Sequence, residues 1–233
     1  MSSRVIRITD SVIVPSAVPM VTVEYAKRHV RALGNSEDVL VESWILAATG
    51  YIEEMTGRQI GLATREAWLD AFPGVPGGSF RSLKIQLPYP PLQSVVSVTY
   101  IDGDGVEQTF EDTSTSPATS LIHVRAPQGD YAGPGTVEPI AGQSWPSARC
   151  ESDAVRIRYT CGYGASADDT PALLRGAILY LTAHFDQFRG AVHEARRGQV
   201  LELPYGVQEV IKGFKYSSLS TIVMRETGLV VPR

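Results

Sequence analysis

The sequence predicts an α+β chain, in which N- and C-terminal helices form a helical bundle around an inserted small antiparallel β unit. Three observations predict it. Residues 36–57, SEDVLVESWILAATGYIEEMTG, repeat apolar side chains at spacings of three and four, the signature of a one-sided helix. From residue 58 the pattern changes to period two with frequent Pro and Gly, the texture of strands and turns. At Thr170-Pro171 helical spacing returns. A rod of about 21 residues and roughly 30 Å, apolar on one side only, must be covered by helices from the two chain ends.

Residues 1–20 read as a flexible N-terminal arm. Pro15 and Pro19 discourage a helix, and the Val/Ile alternation of residues 4–14 suits a strand added to a partner. Residues 21–58 form a helical hairpin. Its first helix, 22–33, is capped by Thr22 and packs through Val23, Ala26, Val30 and Leu33; Gly34 and Asn35 turn the chain. The second helix is capped by Ser36, stopped by Gly57, and packs through Leu40, Trp44, Ala47, Ala48, Tyr51, Ile52 and Met55.

Residues 59–168 form the β-rich insertion. Strands are predicted at 62–70 and 82–87, before Pro88, Pro90 and Pro91 break the chain. In 93–101, Val96, Val98 and Tyr100 share a face. Asp102-Gly103-Asp104-Gly105 turns the chain into a strand at 106–110, and another short strand follows at 121–125. Residues 112–120 and 126–149 read as loops, the latter long enough to suggest a task of its own. In 154–160, Val155, Ile157 and Tyr159 face inward and Arg156 and Arg158 outward.

Residues 169–214 supply the C-terminal helices. Thr170 caps the first, whose stripe is Leu174, Ala177, Ile178, Leu181, Phe185 and Phe188. A charged linker at 191–203 leads to a short helix with Val207, Val210, Ile211 and Phe214 on one side. Residues 215–233 are a tail with a β-prone stretch at 221–224.

Bulk properties narrow the function. With 43% apolar and 20% charged residues the chain is of ordinary globular composition. No apolar run reaches the roughly 18 residues of a membrane span, and no signal peptide is visible, so cytoplasmic synthesis and no membrane partner are expected. The net charge of −4 argues against bulk nucleic-acid binding, although the part after residue 170 is net basic. Cys150 and Cys161 flank one strand and read as free thiols.

The sequence contains no Walker loop, dinucleotide fingerprint, metal-ligand pair or nucleophile elbow. It therefore predicts no catalytic residue, metal site or cofactor. Gly162-Tyr163-Gly164 lacks the third Gly and helix start of a phosphate loop, and His184 reads as structural. The neighbouring Glu53 and Glu54 point in different directions on a helix and read as a solvated face. Candidate partner or channel contacts are the cations Arg156, Arg158, Arg189, Arg196, Arg197, Lys212, Lys215 and Arg225.

The order of several strings carries a resemblance. They are Val21 to Lys27 with His29-Val30-Arg31, then Glu37-Asp38 to Gly57-Arg58, then Leu87-Pro88 with Pro90-Pro91-Leu92. Val95 to Tyr100, Asp102 to Glu107, Trp145-Pro146, and Val155 to Tyr159 with Gly162-Tyr163-Gly164 follow. Pro171 to His184 and Leu203-Pro204-Tyr205-Gly206-Val207 complete the set. Over residues 20–214 the chain resembles the head–tail connector (adaptor) proteins of long-tailed double-stranded-DNA phages, prophages and gene-transfer particles. The resemblance implies a non-catalytic virion protein at the head–tail interface. It implies a ring, typically of twelve copies, bound beneath the portal protein. Such a ring extends the channel through which DNA passes without sequence-specific binding, and offers a platform to a stopper or tail-completion protein. The first 20 residues, the 126–149 loop and the tail depart from the family. A DNA-binding packaging accessory that uses the basic C-terminal third is the competing reading, and an enzyme with an unrecognised site is a third.

Overall fold

A computed structural model describes residues 6–16, 18–30, 37–73, 83–112, 120–149, 151–187, 205–216 and 221–222. The described chain is mixed α+β, with helices and strands gathered into two apolar clusters. Ser36, the 191–203 linker and most of the tail lie outside the described residues.

The helical cluster unites both chain ends. Helix α1 (Val23–Val30) opens where the Thr22 hydroxyl accepts from the Tyr25 amide at 3.2 Å, the capping role its sequence predicts. Helix α2 (Asp38–Thr56) ends at Gly57, whose φ of 66° is the left-handed stop. Lys27 Nζ reaches Asp38 Oδ1 at 2.6 Å and ties the two helices together. Helix α3 (Ala172–Gln187) buries Leu174, Ala177, Ile178 and Leu181 as expected, together with Leu179 and Thr182. Helix α4 (Tyr205–Phe214) buries Val207, Ile211 and Phe214.

Two helix expectations need correction. The buried side of α2 is Val41, Ile45, Ala48, Ile52 and Thr56, while Leu40, Ala47 and Met55 are exposed. Apolar residues surround much of this helix, and the β-branched side packs inward, which rotates the stripe by one position. Thr170 is not a side-chain cap: its hydroxyl is buried without a hydrogen-bond partner. Ser166 and Asp169 instead form a reciprocal capping box on the single 3-10 turn Ala167–Asp169.

Strand β1 (Ile6–Val14) corrects the predicted arm. It runs antiparallel to β2 (Ala63–Leu69), with Ile8 opposite Leu69 and Val14 opposite Thr64. Ile8 enters the β cluster and Asp10, on the same face, meets Arg65. The alternation therefore completes the chain's own sheet. Next come β3 (Ile85–Gln86), β4 (Leu92–Ile101), β5 (Glu107–Asp112), β6 (Ile122–Arg125), β7 (Thr136–Pro139), β8 (Val155–Cys161) and β9 (Thr221–Ile222). The larger sheet has the order β5-β4-β8-β2-β1-β9 and the smaller β3-β7-β6. Both contribute to one cluster, through Val98, Ile157 and Leu69 from the first and Ile85, Ile122 and Val137 from the second.

The 126–149 segment is not all loop. It holds β7, the middle strand of the smaller sheet, and Trp145, which stacks on Phe72 at 4.7 Å and donates to the Leu83 carbonyl at 2.6 Å. In β4 the buried residues are Leu92, Val95 and Val98, because register shifts against β8 break the period-two face expected through Val96. The expected facing of β8 is observed: Val155, Ile157 and Tyr159 are fully buried. At the β4–β5 turn, Asp102 Oδ1 accepts from the Asp104 and Val106 amides at 3.0 and 2.9 Å. These bonds, led by that from Val106, hold its carboxyl below the usual range.

Candidate functional site

Two buried arginines join the helical and β clusters and so fix which surfaces face outward. The chain leaves α2 at Gly57 and turns at once into β2, which places Arg58, Gln59 and Arg65 between the clusters. Arg58 Nε donates to the Phe214 carbonyl at 2.6 Å, and its Nη1 donates to the Ala132 carbonyl at 2.8 Å and Tyr163 Oη at 3.3 Å. It thereby pins the end of α4 to the 126–149 segment, where Tyr131 stacks on Phe214 at 4.5 Å.

Arg65 is held on several sides. Its Nε and Nη2 lie 2.7 and 2.6 Å from Asp10 Oδ2, and its Nη1 donates to Gln59 Oε1 at 2.8 Å. The guanidinium sits 3.6 Å from the centre of the Tyr89 ring. Burial works against the charge, but the attraction and hydrogen bond of Asp10, joined by Tyr159 and Cys161, together raise the pKa. Glu53 extends the network from α2, accepting from Gln59 Nε2 at 2.7 Å and the Ile60 amide at 2.8 Å. Burial raises its pKa, with these bonds and Arg65 opposing. Glu53 is thus no part of a solvated face; only Glu54 is exposed. The missed signal is the αL stop at Gly57, which folds residues 58–60 back along the last turn of α2.

The predicted contact residues are dispersed. Arg156 and Arg158 lie on the outer face of the larger sheet, between β2 and β4. Arg158 Nη2 bonds Glu66 Oε1 at 2.5 Å, and Arg156 pairs with Glu107. Lys212 Nζ bonds Glu209 Oε1 at 2.7 Å on the outside of α4, and Lys215 is exposed one residue beyond its end. Arg189, Arg196, Arg197 and Arg225 lie outside the described residues. The structure therefore brings the sheet pair together and, separately, the α4 pair.

Among the described residues no three His, Cys, Asp or Glu side chains are grouped to hold a metal ion. A cleft of about 300 Å³ between α1 and the start of α3 includes Arg28 and Arg175, paired with Glu24 and Asp168. Cys161 is buried, and that burial pushes its thiol up to about 12, the reverse of activation. No described helix is long and apolar enough to cross a membrane.

Contact surfaces are more prominent. The outward side of α2 exposes Val39 (81%) and Leu46 (56%), rimmed by the exposed Glu42 and Glu54. Tyr205 at the start of α4 is 76% exposed. These are large apolar side chains left exposed among the described residues.

No protein-family model and no curated protein sequence matches the chain. Solved structures do. A chain in the neck of an empty gene transfer agent particle, computed with C6 symmetry, superposes with a TM-score of 0.64 at 19% identity, covering 89% of this chain and 95% of that one. This chain has the fold of a gene-transfer-agent neck protein. A chain of the native particle's virion gives 0.62 at 20% identity, over 89% and 95% of the two chains. A chain of the native neck, computed with C12 symmetry, gives 0.62 at 18% identity, over 89% and 94%. The shared neck fold spans both clusters, because coverage on this scale cannot be reached by either alone.

Proposed function

We propose that the chain is a structural neck protein of a phage-like particle: a head–tail connector whose copies close into a ring beneath the portal. The observation that carries this reading is the near end-to-end match to neck chains from particles computed with C6 and C12 symmetry. Residues matched by such a fold are committed to shape, and the polar groups at the cluster junction are consumed in joining its halves.

In this reading twelve copies surround a channel that continues the portal's. Their lower surface receives a stopper or tail-completion protein, and DNA passes without being read. The protein acts without catalysis and without a cofactor. It is made in the bacterial cytoplasm and functions at the head–tail interface of the virion. The described cations suit a passage more than a binding groove, since Arg156, Arg158 and Lys212 each face a carboxylate of their own chain. A DNA-binding accessory would need such charges free, and its affinity would fall steeply with salt.

Cryo-electron imaging of particles from the source cell tests the assignment. The expected result is density for this chain in a ring between portal and tail. Intact particles whose necks lack the chain would overturn it.

A further inference from the structure

The neck reading leaves open which surfaces join one copy to the next. A closed ring of identical chains uses a heterologous contact, so each copy must carry two unlike faces that fit each other. Among the described residues the two most exposed large apolar side chains are Val39, at 81%, and Tyr205, at 76%. They lie on different helices, one bordered by carboxylates and the other by two lysines and one carboxylate.

Every charged residue of α2 is a carboxylate. Asp38 is engaged by Lys27, and Glu53 turns inward, whereas Glu42 and Glu54 are exposed with no cation beside them among the described residues. Around Leu46 the outward side carries the small, exposed Ser43, Ala47 and Gly50, and a Cβ added at Gly50 would meet nothing within 4 Å. The other helix is less acidic. Tyr205 is exposed at the head of α4, Lys212 follows two turns later on the same outward side, and Lys215 is exposed just past its end. Lys212 bonds the exposed Glu209 at 2.7 Å, a solvent-exposed pair of the kind worth little and open to exchange. An aliphatic ridge with an acidic rim thus meets an aromatic knob whose rim, Lys212 and Lys215 against Glu209, carries an excess of positive charge.

Resting on the ring reading, we propose that these faces form the contact between neighbouring copies. The outward side of α2 (Val39, Leu46, Glu42, Glu54) receives Tyr205, Lys212 and Lys215 from the α4 of a second copy of this chain. The sense is head to tail, so each copy uses one face on each side. Tyr205 is the apolar anchor and the lysines set the register against the two glutamates.

Charge reversal on the full chain tests this. One variant carries Glu42→Lys with Glu54→Lys, the other Lys212→Glu with Lys215→Glu, and a third carries all four changes. Thermal unfolding checks that each remains folded, since every altered side chain is at the surface. Association is measured by sedimentation up to millimolar concentration and by native mass spectrometry. The parent chain is expected to assemble, more weakly as salt rises. Each two-site variant should lose association at least tenfold, and Tyr205→Ala should do the same. The fourfold variant should recover, and an equal mixture of the two charge variants should co-assemble with strict alternation. A parent chain that stays monomeric at millimolar concentration overturns the proposal. So do two-site variants that assemble like the parent, or a mixture that does not co-assemble. A neck ring imaged with other faces in contact sinks this interface and leaves the neck assignment standing; a neck without the chain removes the assignment itself.

Discussion

Arg65 shows how one side chain can decide the relation between two halves of a protein. It is 7% exposed and bonds Asp10 and Gln59 while covering Tyr89. Replacing it with Leu strands the Asp10 carboxylate beside an apolar neighbour. The expected cost is about 3–5 kcal/mol in denaturant unfolding, the range for breaking a buried pair from one side. Arg65→Lys should not restore the loss, because a compact ammonium lacks the planar fork whose separate nitrogens reach Asp10 and Gln59 while its face stacks on Tyr89. Glu53 gives a pH signature of unusual sign. Its folded pKa is raised above 4.5, so between 4.5 and that raised value the folded state holds more protons than the unfolded one. Stability from this group is therefore present at low pH and falls as pH rises through the window. Glu53→Gln should flatten that fall, leaving the variant more tolerant of neutral pH than the parent. Unfolding free energies from pH 4 to 8 check it, and parallel curves for the two proteins would refute it.

At the level of elements, legibility followed the physics of each segment. The strand β8 could be read outright, since it is buried on one face and Arg156 and Arg158 mark the other. The α1 cap at Thr22 and the stop at Gly57 were equally open, because each depends on one local residue. The inward side of α2 was not, since the exposed Leu40, Ala47 and Met55 continue the helical spacing of Trp44, Tyr51 and Ile52 as regularly as the residues the fold buries. Only tertiary packing chooses between them. Strand β7 was hidden by its four-residue length and its Pro and Gly neighbours, and β1 by the lack of any local sign of where its partner lies. The Arg58 and Arg65 junction had no sequence signature at all, joining residues as far apart as Arg58 and Phe214. Two substitutions measure these elements. Trp145→Ala should cost about 3–5 kcal/mol by emptying a stacked aromatic site, so a loss under 1 kcal/mol in denaturant unfolding would mean the stack holds nothing together. Gly57→Ala should cost more than about 1 kcal/mol, since the new methyl would lie 2.3 Å from the Tyr216 carbonyl oxygen in a backbone of positive φ. An unchanged unfolding midpoint would show that the α2 stop relaxes freely.

Across the whole molecule, the helical cluster is assembled from both ends of the chain while the β cluster is made mostly of the middle. Ile45 and Ile52 of α2 pack with Leu174 and Ile178 of α3 and with Val207 and Ile211 of α4. A growing polypeptide makes α2 early and must then wait on the order of ten to thirty seconds, at ordinary translation speed, for the last of these helices. Until then only α1 and its flanking residues cover the α2 interior, and the faces of the proposed interface lack the support of α3 and α4. If copies join through the proposed interface, nascent chains are consequently poor recruits, and the order of synthesis alone discourages premature assembly on the ribosome. Ribosome-bound chains ending before residue 200 should capture no full-length copies, whereas chains extended past residue 216 and clear of the exit tunnel should. Capture by the shorter chains would show that the early helices need no later ones to become competent.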